Sequence, residues 1–204
     1  MIRSDRDGDS LILTIDRPDK AGALTSAMLT ELAERAEAAR DIRLLILTGT
    51  GRVFSAGADL DAARAGLATD SVWERLSAAI VACRGLTIAA LNGTAAGGAL
   101  GMVLACDLRI AVAQTRFSYP VMRLGFLPQL SDVPRMVRLI GPARTKMILM
   151  AGQKIDAETA LAWGLIDRIV PDDALLQSAH ALGQDVCAAA PDHAIAIKQM
   201  IDRP

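Results

Sequence analysis

The chain has 204 residues, of which 52% are apolar and only 3% aromatic, with a formal net charge of −1. That length and apolar share suit one domain around an aliphatic, alanine-rich core. The charge balance gives no global field to draw the molecule onto nucleic acid or an anionic membrane. The three cysteines, Cys83, Cys106 and Cys187, are odd in number and widely spaced, so they read as reduced thiols of a cytoplasmic protein rather than as disulfides or metal ligands. The charged start (Arg3, Asp5, Arg6, Asp7) is not a signal peptide, and no apolar run approaches the roughly 18 residues of a membrane span.

In chain order, Leu11-Ile12-Leu13-Thr14-Ile15 reads as a first strand, ended by the turn chemistry of residues 17–22. Thr25 or Ser26 caps a helix over 27–40, with Met28, Leu29, Leu32 and Ala36 on one face. The apolar run 43–48 is a strand of the kind a parallel sheet buries on both faces. An irregular loop follows over 52–64. A helix over 71–84 carries Trp73, Leu76, Ile80 and Val81, and a strand over 87–92 runs into a helix of small apolar residues. Next come a strand over 108–112, a long connection over 115–131, and a helix over 133–150 that Pro134 and the Gly141-Pro142 pair would split. A short helix over 155–164 is capped by Asp156, a late strand spans 165–170, and two helices close the chain over 175–189 and 194–200. Strands alternating with helices predict an α/β fold with a mainly parallel sheet.

Two stretches carry chemistry. In Ala95-Ala96-Gly97-Gly98-Ala99-Leu100-Gly101, glycines stand between a strand and a helix. They let the backbone turn tightly and a second group come close, and the first N–H groups of the helix have no partner within it. The same pattern also serves plain helix–strand packing. In Phe54-Ser55-Ala56-Gly57-Ala58-Asp59-Leu60, small residues follow a buried strand, where open α/β sheets place ligands. Two converging backbone N–H groups from these loops can hold the oxygen of an enolate or tetrahedral intermediate.

Taken together, the motifs resemble the crotonase superfamily, the enoyl-CoA hydratase/isomerase proteins, over about residues 10 to 200. The matching segments are Arg17-Pro18 with Ala23-Leu24, Leu47-Thr48-Gly49 with residues 54–60, and Asn92-Gly93 with Gly97-Gly98 and Cys106-Asp107-Leu108-Arg109. Leu124-Gly125-Phe126-Leu127-Pro128 and residues 160–170 complete the set. The resemblance implies one crotonase-fold domain over 1–204: a spiral of β-β-α turns to about 170, then a C-terminal helical segment over 171–204 that is short for the family. It implies an acyl-CoA or enoyl-CoA thioester whose carbonyl oxygen sits between the N–H groups of Ala58 and Gly98. Coenzyme A would then be part of the substrate, with no permanently bound cofactor and no metal. The coenzyme would contact Lys20, Ala21, Ala23, Leu24, Ala56, Gly57, Asp59, Leu60 and Gly97, although the family's Asn in the first turn is Gly22 here. A homo-oligomer of trimer or hexamer type and a place in lipid and fatty acid metabolism are further implications.

The chain departs from the family where hydratases carry two glutamates. Those positions are Gly101 and Val121, and the aspartate that some members use falls at Gln129. Neither Gly101 nor Val121 can move a proton; with Leu124 they read as an acyl pocket, wider and more apolar than two glutamates would leave. Asp132 is a candidate substitute, with helix capping by Ser131 or Asp132 as its other reading. Glu74 reads as a solvated face or a second substitute. Tyr119 and Arg123 flank Val121, and each reads either as an acyl contact or as packing and a surface ion pair. Asp59 and Asp107 read as structural, and His180 and His193 as surface residues. The expected function is therefore an enoyl-CoA hydratase/isomerase-family protein with altered acid/base chemistry. The alternatives are a non-catalytic acyl-CoA binder or sensor, a thioester or peptide hydrolase on the same fold, and a regulatory partner that merely keeps the fold.

Overall fold

The computed structural model describes residues 1–202. In chain order the elements are β1 (Ile2–Asp7), β2 (Ser10–Ile15), α1 (Ser26–Ala38), β3 (Leu44–Gly49), β4 (Val53–Ser55), α2 (Leu60–Arg64), α3 (Val72–Val81), β5 (Leu86–Leu91), β6 (Thr94–Ala96) and α4 (Ala99–Ala105). They continue with β7 (Leu108–Val112), β8 (Arg116–Ser118), α5 (Val121–Leu124), α6 (Asp132–Leu149), β9 (Ile155–Asp156), α7 (Ala157–Trp163), β10 (Arg168–Val170), α8 (Leu175–Ala188) and α9 (Pro191–Asp202).

β3, β5 and β7 are each followed by a short strand, β4, β6 and β8 respectively, and then by helix, and these long and short strands fall in separate sheets. The large sheet has the order β1-β2-β3-β5-β7-β10, parallel except for the β1–β2 hairpin, and the small one has the order β4-β6-β8-β9. The expected spiral of β-β-α turns is thus present. The run of apolar residues in β3 is explained by burial on both faces. Leu45 and Leu47 join the main core under α1 and α3, whereas Leu44 and Ile46 face a second cluster with Ile88, Ile110, Val112 and Leu175 and Ala179 of α8. Alternation along the strand sends successive side chains to opposite faces.

Several local expectations meet their physical cause. Thr25 caps α1 by accepting the Met28 N–H at 3.3 Å, and Asp156 caps α7 through the Thr159 N–H at 2.9 Å. Gly141 has non-helical angles (φ 77°, ψ 165°), so α6 is two helices joined at a kink, as the Gly141-Pro142 pair predicts. Four expectations need correction. The strand expected over 165–170 is formed only over Arg168–Val170, and a short strand, β6, stands between β5 and the helix expected to follow it directly. Residues 2–7 form a strand that the charged sequence hides, because β1 lies at the sheet edge with only Ile2 buried. The loop 52–64 and the connection 115–131 are not wholly irregular. They contain β4 and α2, and β8 and α5, elements too short to show a period.

Candidate active site

The carboxyl ends of the paired parallel strands β4 and β6 deliver the two glycine-containing loops to one place. Residues 56–59 are stitched to the first turn: Ala56 N–H donates to Ala21 O (3.0 Å), Leu24 N–H to Gly57 O (2.8 Å) and Asp59 N–H to Leu24 O (2.8 Å). Gly57 N–H donates to Ser55 Oγ (3.1 Å), and Gly97 N–H donates to Ser118 O (2.9 Å). Among the described residues, the N–H groups of Ala58 and Gly98 have no protein acceptor. Gly57 makes the convergence feasible. Its φ is +90°, and a Cβ there would stand 2.8 Å from Ala96 O and 3.4 Å from Gly98 N. A side chain at this point would push the two loops apart.

Ala58 and Gly98 both line a cleft of about 410 Å³, together with Ala56, Leu60, Trp73 and Gly97. Tyr119, Val121, Leu124, Phe126, Leu127 and Gln129 form the other side. Trp73 sets the floor. Its Nε1–H donates to Leu67 O (2.8 Å), and its ring packs closely on Gly98, where a Cβ would stand a tight 3.2 Å from it. The rim is apolar and open to solvent: Leu60, Leu124, Phe126 and Leu127 are all exposed. Two larger grooves, of about 480 and 540 Å³, flank α9 and contain neither glycine-containing loop.

Of the residues expected near coenzyme A, Ala56, Leu60 and Gly97 line the cleft. Gly57 and Leu24 lie buried behind it, with Leu24 paired by backbone to Ala58. Lys20 is exposed at the end of the short 3-10 turn Pro18–Lys20; Ala21 follows it, and Ala23 O accepts from Arg17 Nη1 at 2.9 Å. Asp59 has a structural part: it caps α2 through the Asp61 and Ala62 N–H groups and binds Arg17 at 2.9 Å. Asp107 is likewise structural, accepting from Thr87 N–H, Thr87 Oγ and Lys198 Nζ.

The neighbourhood of Gly101 differs from expectation. Gly101 is buried in α4, and a Cβ built on it would lie 2.8 Å from Asp132 Oδ1, 3.2 Å from Asp132 Oδ2 and 3.3 Å from Ser77 Oγ. The space beside Gly101 is therefore polar and filled by a carboxylate that arrives from α6; it is not an apolar widening. Val121 and Leu124 do line the cleft. Asp132 does not cap α6: its side chain is fully buried and its Oδ2 accepts the Tyr119 hydroxyl at 2.8 Å. Nor does the Ser131 side chain cap α6. Ser131 N–H donates to Glu74 Oε1 (2.9 Å), so Glu74 is neither freely solvated nor at the cleft wall, and Ser131 Oγ accepts from Arg135 (2.8 Å). Burial raises Asp132 from an ordinary 3.8 to about 6, opposed by the Tyr119 hydrogen bond and by Arg135. Burial and the Asp132 charge push the Tyr119 phenol well above its usual value. Arg123 is exposed, and His180 and His193 lie in α8 and α9, outside the cleft walls.

The Enoyl-CoA hydratase/isomerase family model matches residues 8–204. The chain belongs to this family. Among its relatives, the carnitinyl-CoA dehydratase of Citrobacter koseri is 37% identical over 208 residues, covering 96% of this chain and 77% of that protein. The carnitinyl-CoA dehydratase of Salmonella typhi is 35% identical with the same coverage. An enoyl-CoA hydratase/isomerase from Pseudoalteromonas atlantica superposes with a TM-score of 0.90 at 32% identity, over 98% of this chain and 82% of that one. An enoyl-CoA hydratase from Bacillus anthracis gives 0.90 at 29% identity, over 99% and 82%. The crotonase fold and an acyl-CoA-processing family are thereby shown. Within this family, the Tyr119–Asp132 contact is what the sequence did not reveal. Thirteen residues separate the partners, and each had an ordinary local reading, as packing or as a cap.

Proposed function

We propose that the protein binds an acyl-CoA or enoyl-CoA thioester with its carbonyl oxygen between the N–H groups of Ala58 and Gly98, and that it acts on the carbon next to that carbonyl. The observation that carries this reading is the pair of donors without protein acceptors, fixed by two stitched loops, on residues that line one cleft. Donors placed where negative charge develops stabilise an enolate without reorganising during the reaction, and losing one typically costs a hundred- to a thousandfold. The coenzyme would run past Ala56, Gly97 and Leu60 toward the exposed first turn at Lys20, Ala21, Ala23 and Leu24, and the acyl chain past Val121 and Leu124. Dehydratase or hydratase chemistry on a CoA thioester agrees with the names of the relatives.

The glutamate positions, Gly101 and Val121, favour one competing reading, a non-catalytic acyl-CoA binder. The deciding experiment is titration with CoA and acyl-CoAs in a calorimeter, followed by loss of conjugated-thioester absorbance on trans-2-enoyl-CoAs of increasing length. Saturable binding and turnover at least about a hundredfold above Ala58→Pro, which lacks one donor N–H, is the expected result. Binding without turnover of any chain length would leave the binder. No binding at all would remove both.

A further inference from the structure

The carboxylate beside Gly101 is held in an unusual state. Asp132 Oδ2 has one partner, the Tyr119 hydroxyl, while the buried Oδ1 has no hydrogen-bond partner among the described residues. Leaving a buried polar atom unpaired costs free energy, and a fold tolerates this mainly where the group has work to do. The groups packed around the carboxylate are few: Tyr119 from the β8–α5 junction, Ser77 and Glu74 from α3, Gly101 from α4 and Arg135 from its own helix. Glu74 is engaged with the Ser131 N–H, and Arg135 with the Ser131 hydroxyl. Tyr119, by contrast, lines the same cleft as Ala58 and Gly98. Asp132 itself does not reach the cleft wall.

We propose that Tyr119 and Asp132 together form the proton-transfer group of this site, with the Tyr119 hydroxyl at the substrate and Asp132 as the proton store behind it. The proposal rests on the acyl-CoA reading above. In the forward step a Cα–H bond of the thioester breaks and its electron pair moves into the carbonyl, giving an enolate whose oxygen is held by Ala58 and Gly98. Tyr119 Oη accepts that proton while its own hydroxyl proton passes to Asp132 Oδ2, so the net change is one proton moved from carbon to carboxylate. The reverse step returns a proton from Asp132 through Tyr119 to carbon. Tyr119 stays a neutral phenol at rest and Asp132 is the group that changes charge. A carboxylate raised to about 6 is ionised at neutral pH, yet it is basic enough to hold the proton. This route also accounts for Gly101. Only a residue without a side chain leaves room there for a carboxylate arriving from α6.

The test is exchange of the α-hydrogens of acyl-CoAs, from acetyl to palmitoyl, with solvent deuterium, read by mass spectrometry beside calorimetric binding of the same compounds. Wild type, Tyr119→Phe and Asp132→Asn are compared as full chains. The expected result is unchanged binding with exchange reduced about a hundred- to ten-thousandfold in either variant. Wild type should also show an acid limb near pH 6 that Asp132→Asn lacks. Folded, binding-competent variants that exchange at the wild-type rate would overturn the dyad while leaving the acyl-CoA reading intact. So would a wild type that binds and exchanges nothing. A wild type that binds no thioester would overturn both. If either variant fails to melt cooperatively, the wild-type profile decides: an acid limb near pH 6 supports the dyad, and a flat profile overturns it.

Discussion

A fully buried carboxylate with one oxygen unpartnered is costly to keep ionised, so Asp132 should show itself in stability as well as in rate. Its ordinary value of 3.8 is raised to about 6, so between those limits the folded chain holds a proton that the unfolded chain has released. Stability then falls as pH rises through this window and levels off above it, by on the order of 3 kcal/mol from this group. Asp132→Asn, which keeps an acceptor for Tyr119 and removes the charge, should match wild type in urea midpoint near pH 4. It should exceed wild type at pH 8. An equal midpoint at pH 8 would mean that water reaches the carboxylate and that the burial argument fails. A substitution that stabilises while it slows the reaction marks a site where function has been favoured over stability. At this scale the sequence named the candidate residues but not how they meet. Ala58 and Gly98 lie in motifs whose glycines advertise close backbone approach. Tyr119 and Asp132 were each legible as single candidates, but their pairing depends on how the start of α6 packs against the β8–α5 junction, which no local pattern records.

At the level of elements, the loops that carry the two free N–H groups are located by backbone contact more than by side chains. Gly93, at the turn between β5 and β6, shows this: a Cβ there would lie 2.0 Å from Arg52 O and 3.1 Å from the Cα of Val53. Gly93→Ala must therefore displace the start of β4, and with it the segment leading to Ala58. The expected cost is on the order of 3 kcal/mol in urea unfolding, with weakened thioester binding in whatever still folds. The long elements were readable because their cause is local. Doubly buried β3 is a continuous apolar run, α1 and α7 begin with capping residues, and α6 breaks at Gly141-Pro142. The missed elements have causes elsewhere. The short strands β4, β6 and β8 exist because they pair with one another, and β1 exists because β2 offers it an edge. Three residues cannot display a period.

Across the whole molecule, Lys198 supplies the side-chain hydrogen bonds that tie α9 to the body among the described residues. Lys198 Nζ donates to Cys83 O (3.0 Å), Gly85 O (2.8 Å) and Asp107 Oδ2 (2.7 Å), joining the last described helix to the α3–β5 turn and the end of α4. The pair is partly exposed, with side-chain accessibilities of 18% and 26%, which moderates its strength. Lys198→Met should cost about 1–3 kcal/mol and speed amide exchange in residues 191–202. Thioester binding in the cleft should not change; a variant that keeps wild-type protection over α9 would show that apolar packing alone holds the helix. The two borders of the large sheet carry a different consequence. β1 presents Arg3, Ser4, Asp5, Arg6 and Asp7 to solvent in mixed sign, and β10 at the other border is only three residues long and begins with exposed Arg168. A charged or very short outer strand makes a poor template for a second chain, so neither border invites the edge-to-edge growth that leads to fibrils. Copies that meet at high concentration are then expected to do so through helices or the apolar rim of the cleft rather than through the borders of the large sheet.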